Sequence, residues 1–191
     1  MSLPAHDLQL SQEDYLELEE KSCVRHEFVN GRAFAMVGGT EAHDRIVTRL
    51  TVRATLQLGQ SDCRVLSCGM KLRIAASGNF YYPDLMVSCE PYSATSLFKT
   101  APCLIFEVLS PSTQDIDRRE KLQAYQSIAS LSAYAMFAQD ERRVEVYKRT
   151  GTGWTPTIHT ESDLITLVCA GDLELKFSLD AIYEGVFADD P

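Results

Sequence analysis

The sequence has no apolar run close to the ~20 residues that a membrane-spanning helix requires. Its opening stretch, MSLPAHDLQLSQEDY, lacks the basic start and apolar core of a secretory leader, so a cytoplasmic protein with no membrane association is expected. Basic residues are also short. Lys and Arg number 18 against 27 Asp and Glu, a net charge of −9. That balance argues against loose attachment to a polyanion. A nucleic-acid enzyme can still focus positive charge at one cleft while its other faces stay acidic. Tryptophan occurs once, at Trp154, which is too little for an aromatic-lined sugar cleft. None of the six cysteines belongs to a CxxC pair, and most sit in apolar, strand-like runs. Buried free thiols are therefore expected rather than disulfides or a zinc site.

What is present fits one α/β domain spanning residues 1–191, with a central mixed sheet flanked by helices. LSQEDYLELEEKS reads as an acidic helix with a capping box from Ser11 to Asp14. HEFVNGRAFAMV reads as two strands about an Asn30-Gly31 hairpin. Between Glu41 and Leu58, the residues Ile46, Val47, Leu50, Ala54 and Leu58 recur at helical spacing, and His43 falls in the first turn. The strands CRVLSC, MKLRIA and YYPDLMVSC follow, then a loop from Glu90 to Ala101. The strand CLIFEVL leads into a helix over roughly 114–128. AYAMFAQ and RRVEVYKR pair as a hairpin about Asp140-Glu141. A Gly151-Thr152-Gly153 turn, WTPTIH and further short strands come next. SLDAIYEGVF closes as a helix capped by Ser178.

Two of these strands carry acid in apolar surroundings: Asp84 in YYPDLMVSC and Glu107 in LIFEVL. A lone carboxylate in such a strand costs several kcal/mol unless something compensates it. Held on adjacent strands, the two make an oxygen-rich site that suits Mg²⁺ or Mn²⁺ better than zinc. The helix after the second strand supplies a cation. A residue eight positions into it has travelled back roughly 12 Å, and four extended residues cover about 13 Å. Antiparallel packing would therefore bring Lys121 level with Glu107. Asp117, Lys121 and Tyr125, four apart, form one stripe.

Pro83-Asp84, then EVLSPST from Glu107, then D-x-x-x-K-x-x-x-Y from Asp117, resemble a restriction-endonuclease-like family of bacterial nucleases. That family was once catalogued as a domain of unknown function and belongs to the PD-(D/E)XK superfamily. HEFVNGRAFAM and the histidine in GTEAHDRIVTRL extend the resemblance upstream, and AYAMFAQDERRVEVYKR extends it downstream, over about residues 11–150. The departures are specific. Leu109 stands where the superfamily's basic pattern has its lysine, which in this family moves to the following helix and is matched by Lys121. His26 replaces an aromatic, Arg32 a glutamate, and Ala135-Met136 an aromatic strand motif. None removes a metal ligand.

The resemblance implies a restriction endonuclease-like fold and a Mg²⁺- or Mn²⁺-dependent endonuclease acting on DNA, expected as a homodimer. It implies Asp84, Glu107 and the Val108 carbonyl as metal ligands, with Lys121 stabilising the transition state. His43 would contact phosphate or transfer a proton. Glu27 would complete the metal's shell or act as an acid partner. Ser112 and Thr113 open the helix beside Glu107, where N-capping is the ordinary role and phosphate binding the alternative. The rival reading is a catalytically silent or regulatory module that binds protein or nucleic acid. A glycosidase using Asp84 and Glu107 as its acid–base pair ranks last for want of aromatics.

Overall fold

The computed structural model describes residues 9–110, 114–151 and 153–187. Helix α1 (Gln12–Lys21) starts at the expected capping box: Ser11 Oγ accepts the Asp14 N–H at 3.1 Å and Asp14 Oδ2 accepts the Ser11 N–H at 3.1 Å. Strands β1 (His26–Val29) and β2 (Arg32–Ala35) pair antiparallel about Asn30 and Gly31. Both turn residues have positive φ, 50° and 83°, which is why Asn-Gly makes this turn. Helix α2 (Glu41–Leu58) buries Ile46, Leu50, Ala54 and Leu58, the face its periodicity marks.

The run YYPDLMVSC is not one strand. After β3 (Arg64–Ser67) and β4 (Lys71–Arg73), the chain forms β5 (Phe80–Tyr81), breaks, and resumes as β6 (Leu85–Ser88). Pro83 has no N–H to give a ladder, and the chain changes sheets there. β5 pairs with β1 and β4, whereas β6 pairs with β3 and with β8 (Pro102–Leu109). The loop expected before β8 also contains a two-residue strand, β7 (Phe98–Lys99), parallel to β4.

The strands divide among three sheets. A five-stranded sheet runs β2-β1-β5-β4-β7. Downstream are β9 (Ala133–Ala138), β10 (Arg143–Thr150), β11 (Gly153–Thr160), β12 (Leu164–Val168) and β13 (Glu174–Ser178). A six-stranded sheet runs β11-β10-β9-β8-β6-β3, and β12-β13 form a separate hairpin. The larger sheet is mixed, because β8 and β9 are parallel while its other pairs are antiparallel.

Along β8, Leu104, Phe106 and Val108 enter a core with Ile46 and Leu50 of α2 and Phe177 of β13. Ile105 and Leu109 enter the opposite one, with Tyr125 and Tyr134. Strand alternation puts Glu107 on the side of Ile105 and Leu109.

The helix expected over roughly 114–128 is irregular. It comprises α3 (Gln114–Ile116), a π-helical turn (Asp117–Lys121) and α4 (Leu122–Gln126). Helix α5 (Leu179–Tyr183) is shorter than expected, and Ser178 makes no side-chain capping bond. The cysteines depart furthest from expectation. Cys63 bonds Cys89 and Cys103 bonds Cys169, while Cys23 and Cys68 are free and exposed. The free-thiol reading rests on the lack of a secretory leader, the lack of CxxC and the apolar runs around the cysteines, none of which registers pairs 26 and 66 residues apart. No described helix is long and apolar enough to cross a membrane.

Candidate active site

Asp84 sits at the break between the two sheets. Register between β6 and β8 extends to Leu85 opposite Phe106 and goes no further toward Glu107. The backbone beyond is held by side chains instead. Asp84 Oδ2 accepts the Val108 N–H at 2.7 Å, and the Asp84 N–H donates to Glu107 Oε2 at 3.1 Å. The N–H and C=O of a strand residue share an edge, so the Val108 carbonyl also faces Asp84.

Glu107 is 3% exposed. Besides the Asp84 amide, it accepts from Lys121 Nζ at 3.2 Å and from the Tyr125 hydroxyl at 3.0 Å, both on Oε1. Lys121, 6% exposed, also meets Glu27 Oε1 at 3.1 Å and Asp117 Oδ1 at 3.2 Å. The π turn carries both Asp117 and Lys121 inward; such turns occur mostly as single-turn bulges and often at functional sites. Tyr125 stacks edge-on against Tyr81 and Tyr134, which fixes its hydroxyl over Glu107.

His43 is the third residue of α2, and Thr40 Oγ1 caps its N–H at 3.2 Å. Its Nε2 donates to Asp84 Oδ2 at 3.1 Å. Gly39 leaves room for the ring: a Cβ there would come within 2.9 Å of His43 Nδ1.

The electrostatics follow from four carboxylates facing one ammonium and one imidazole. Burial pushes the Glu107 carboxyl well above the usual range. Lys121 pulls it back, and Asp84, Asp117 and Glu27 push it further up. Burial alone would lower Lys121, but Glu107, Glu27, Tyr125 and Asp117 outweigh it and hold the ammonium well above its ordinary value. For Glu107, burial and the neighbouring carboxylates act in the same direction; for Lys121, the same carboxylates overcome burial. The hydrogen bond to Asp84 raises His43 against the lowering effect of burial.

Asp84, Glu107, Val108, Lys121, His43, Asp117 and Gln139 line a cavity of about 260 Å³. It adjoins a wider cleft of about 770 Å³ that shares His43 and Asp84 and reaches Arg25, Cys23 and Cys68. Of the residues singled out in the sequence, Asp84, Glu107, Lys121, His43 and Val108 meet here. Glu27 reaches the cluster through Lys121 and the Tyr82 amide, which it accepts at 3.2 Å. Ser112 and Thr113 lie outside the described residues. Asp117 and Tyr125 carry no assigned role in the sequence, although their four-residue spacing from Lys121 was the available signal. Tyr82, which also lines the cavity and whose hydroxyl donates to Glu19, had none.

The donors suit a hard divalent cation. They are all oxygens, two of them carboxylates, one just before β6 and one in its neighbour β8. Glu107 keeps unused acceptor capacity after three donors, and the surplus negative charge is of the sign a cation relieves.

Sheet order and the acid–lysine cluster define an α/β protein of the restriction endonuclease-like fold. In agreement, a solved structure from Anabaena variabilis, described as a putative nuclease belonging to DUF820, superposes with a TM-score of 0.75. It covers 93% of this chain and 99% of that one at 17% identity. The Uma2 family, described as "Putative restriction endonuclease", matches residues 12–179, and the chain belongs to that family. Two uncharacterized Synechocystis proteins are similar along nearly their whole length. The protein slr1290 is 34% identical over 179 residues, 93% of each chain. The protein sll1609 is 32% identical over 173 residues, 88% of this chain and 93% of its own.

Proposed function

We propose that this chain is a Mg²⁺- or Mn²⁺-dependent endodeoxyribonuclease that hydrolyses phosphodiester bonds of DNA. The observation that carries the reading is the buried meeting of Asp84, Glu107 and Lys121 at one cavity with negative charge in excess. Family membership supports the reaction class.

Asp84, Glu107 and the Val108 carbonyl would hold the cation. What it supplies when bound is Lewis acidity, which activates water and stabilises charge on the attacked phosphate. Lys121 keeps its proton at neutral pH and stands beside Glu107, where it offsets charge developing on the phosphate oxygens. Tyr125 and the Asp84 amide fix the Glu107 carboxylate in orientation. His43 does the same for Asp84, as outer partners of metal ligands commonly do. The adjoining cleft, with Arg25 at its wall, offers room for a nucleic-acid strand. Cutting both strands of a duplex calls for two such sites, so a homodimer with C₂ symmetry fits the activity.

The test is plasmid and oligonucleotide cleavage with Mg²⁺ or Mn²⁺. Nicking or cutting is expected, and Lys121→Ala should slow it by about 10²–10³-fold. If no DNA is cut with either metal, the silent binding module becomes the better account, as Leu109 in the superfamily's lysine position would suggest.

A further inference from the structure

Four cysteines meet at the other end of the strands that carry the acid pair. Cys63 precedes β3, Cys89 follows β6, Cys103 is the second residue of β8, and Cys169 follows β12. Cys103 is four residues from Glu107 and Cys89 is five from Asp84, roughly 13–17 Å along extended chain. The cluster is therefore separate from the acid cavity.

The two disulfides touch: Cys89 Sγ lies 3.6 Å from Cys169 Sγ. The sulfurs of Cys63, Cys89 and Cys169 all fall within 4.8 Å of one another. One cross-link would be enough to tie the β12-β13 hairpin to the sheet. Bringing a third sulfur into contact is what a metal site requires. Sulfurs around a tetrahedral zinc at ~2.3 Å stand about 3.8 Å apart, close to the Cys89–Cys169 separation. Cys103 differs from the other three. Its Sγ lies 3.3 Å from the Val87 carbonyl oxygen. A neutral thiol can donate there, a thiolate would be repelled, and a disulfide sulfur has no hydrogen to give. Cys63 and Cys89 are only half-buried, which leaves an entry path.

We infer that, in the reduced protein, Cys63, Cys89 and Cys169 form a thiolate site for zinc, with Cys103 alongside as a neutral thiol. Three soft sulfur ligands select zinc over the hard cations that fit the acid cavity. Reaching this state takes four electrons and four protons. Two equivalents of a dithiol reductant supply them and leave as two cyclic disulfides, while the protein gains four thiols. Zinc then displaces the protons of three thiols as its three Zn–S bonds form. Oxidation and zinc occupancy are mutually exclusive at these residues.

The experiment uses the full chain, reduced with a dithiol, freed of it without oxygen, and titrated with Zn²⁺ against a chromophoric chelator. Co²⁺ is the spectroscopic substitute. One zinc ion per chain is expected for the wild type, Cys103→Ser and Asp84→Asn, with a sulfur-to-cobalt charge-transfer band in each. The oxidised protein and Cys89→Ser should lack that binding. Circular dichroism checks that Cys89→Ser is folded; the band in wild type and Cys103→Ser decides the matter if it is not. Reduced wild type that takes up no zinc, or Co²⁺ bound without the sulfur band, overturns the inference. Loss of the site in Cys103→Ser overturns the three-ligand assignment.

Discussion

Asp84→Asn separates a structural carboxylate from a metal ligand. An asparagine carbonyl can take the place of Oδ2, keeping the bonds from the Val108 N–H and from His43 Nε2. Only the charge and the second oxygen are lost. Without metal, Asp84 adds to the negative charge that raises Glu107, so its removal relieves repulsion. Metal-free stability should stay within about 1 kcal/mol of wild type, or rise. With metal the two proteins diverge. At a free cation concentration 100 times the dissociation constant, binding stabilises the native state by about 2.7 kcal/mol. At ~2–4 °C per kcal/mol for a domain of this size, the wild-type melting temperature should rise by about 5–11 °C. Asp84→Asn should not move. Thermal unfolding with and without Mn²⁺ or Mg²⁺, followed by near-ultraviolet dichroism, measures both. Equal shifts in the two proteins would remove Asp84 from the ligand set. A wild type indifferent to both metals would sink the cation site itself.

Three further outcomes follow from other contacts. Lys121→Ala leaves Glu107, Glu27 and Asp117 without their shared cation; it should cost about 3–5 kcal/mol in urea unfolding without metal, and an unchanged midpoint would refute that. Arg149→Lys removes a fork that donates to the Leu131, Gln126 and Ile128 carbonyls and lies over Trp154 at 4.5 Å. A lysine cannot reproduce it, so a loss of about 1–3 kcal/mol is expected in the same assay. Gly39→Ala should push the His43 ring off Asp84 and slow DNA cleavage while the unfolding midpoint stays near wild type; wild-type cleavage would show that His43 need not sit there.

Local chemistry made much of this fold legible. Asn30-Gly31 determines its hairpin by the φ values it tolerates, and α2 shows its buried face in four residues. Chain lengths alone anticipated Lys121 beside Glu107, because helical and extended rises leave little freedom over fourteen residues. What stayed hidden depends on partners distant in sequence. Pro83 lacks a ladder N–H, but nothing local to it says that the strands on either side join different sheets. The π turn leaves no mark in a four-residue spacing that an α-helix would also explain. Cysteine pairing links strands far apart in the chain, so spacing that lacked CxxC pointed toward free thiols when the fold brings four sulfurs together. Tyr82 and Glu19 join the cluster's surroundings only through tertiary packing.

The Val108 amide gives this arrangement an internal reporter. Most amides in the six-stranded sheet bond to carbonyls, and their exchange with solvent reads the opening of strands. The Val108 proton bonds instead to a carboxylate that is also the nearest candidate ligand. Its chemical shift and exchange lifetime therefore read the charge and rotamer of Asp84, whatever the rest of the sheet is doing. A single backbone resonance can follow ion entry in the unmutated protein, with no substrate present and no turnover required.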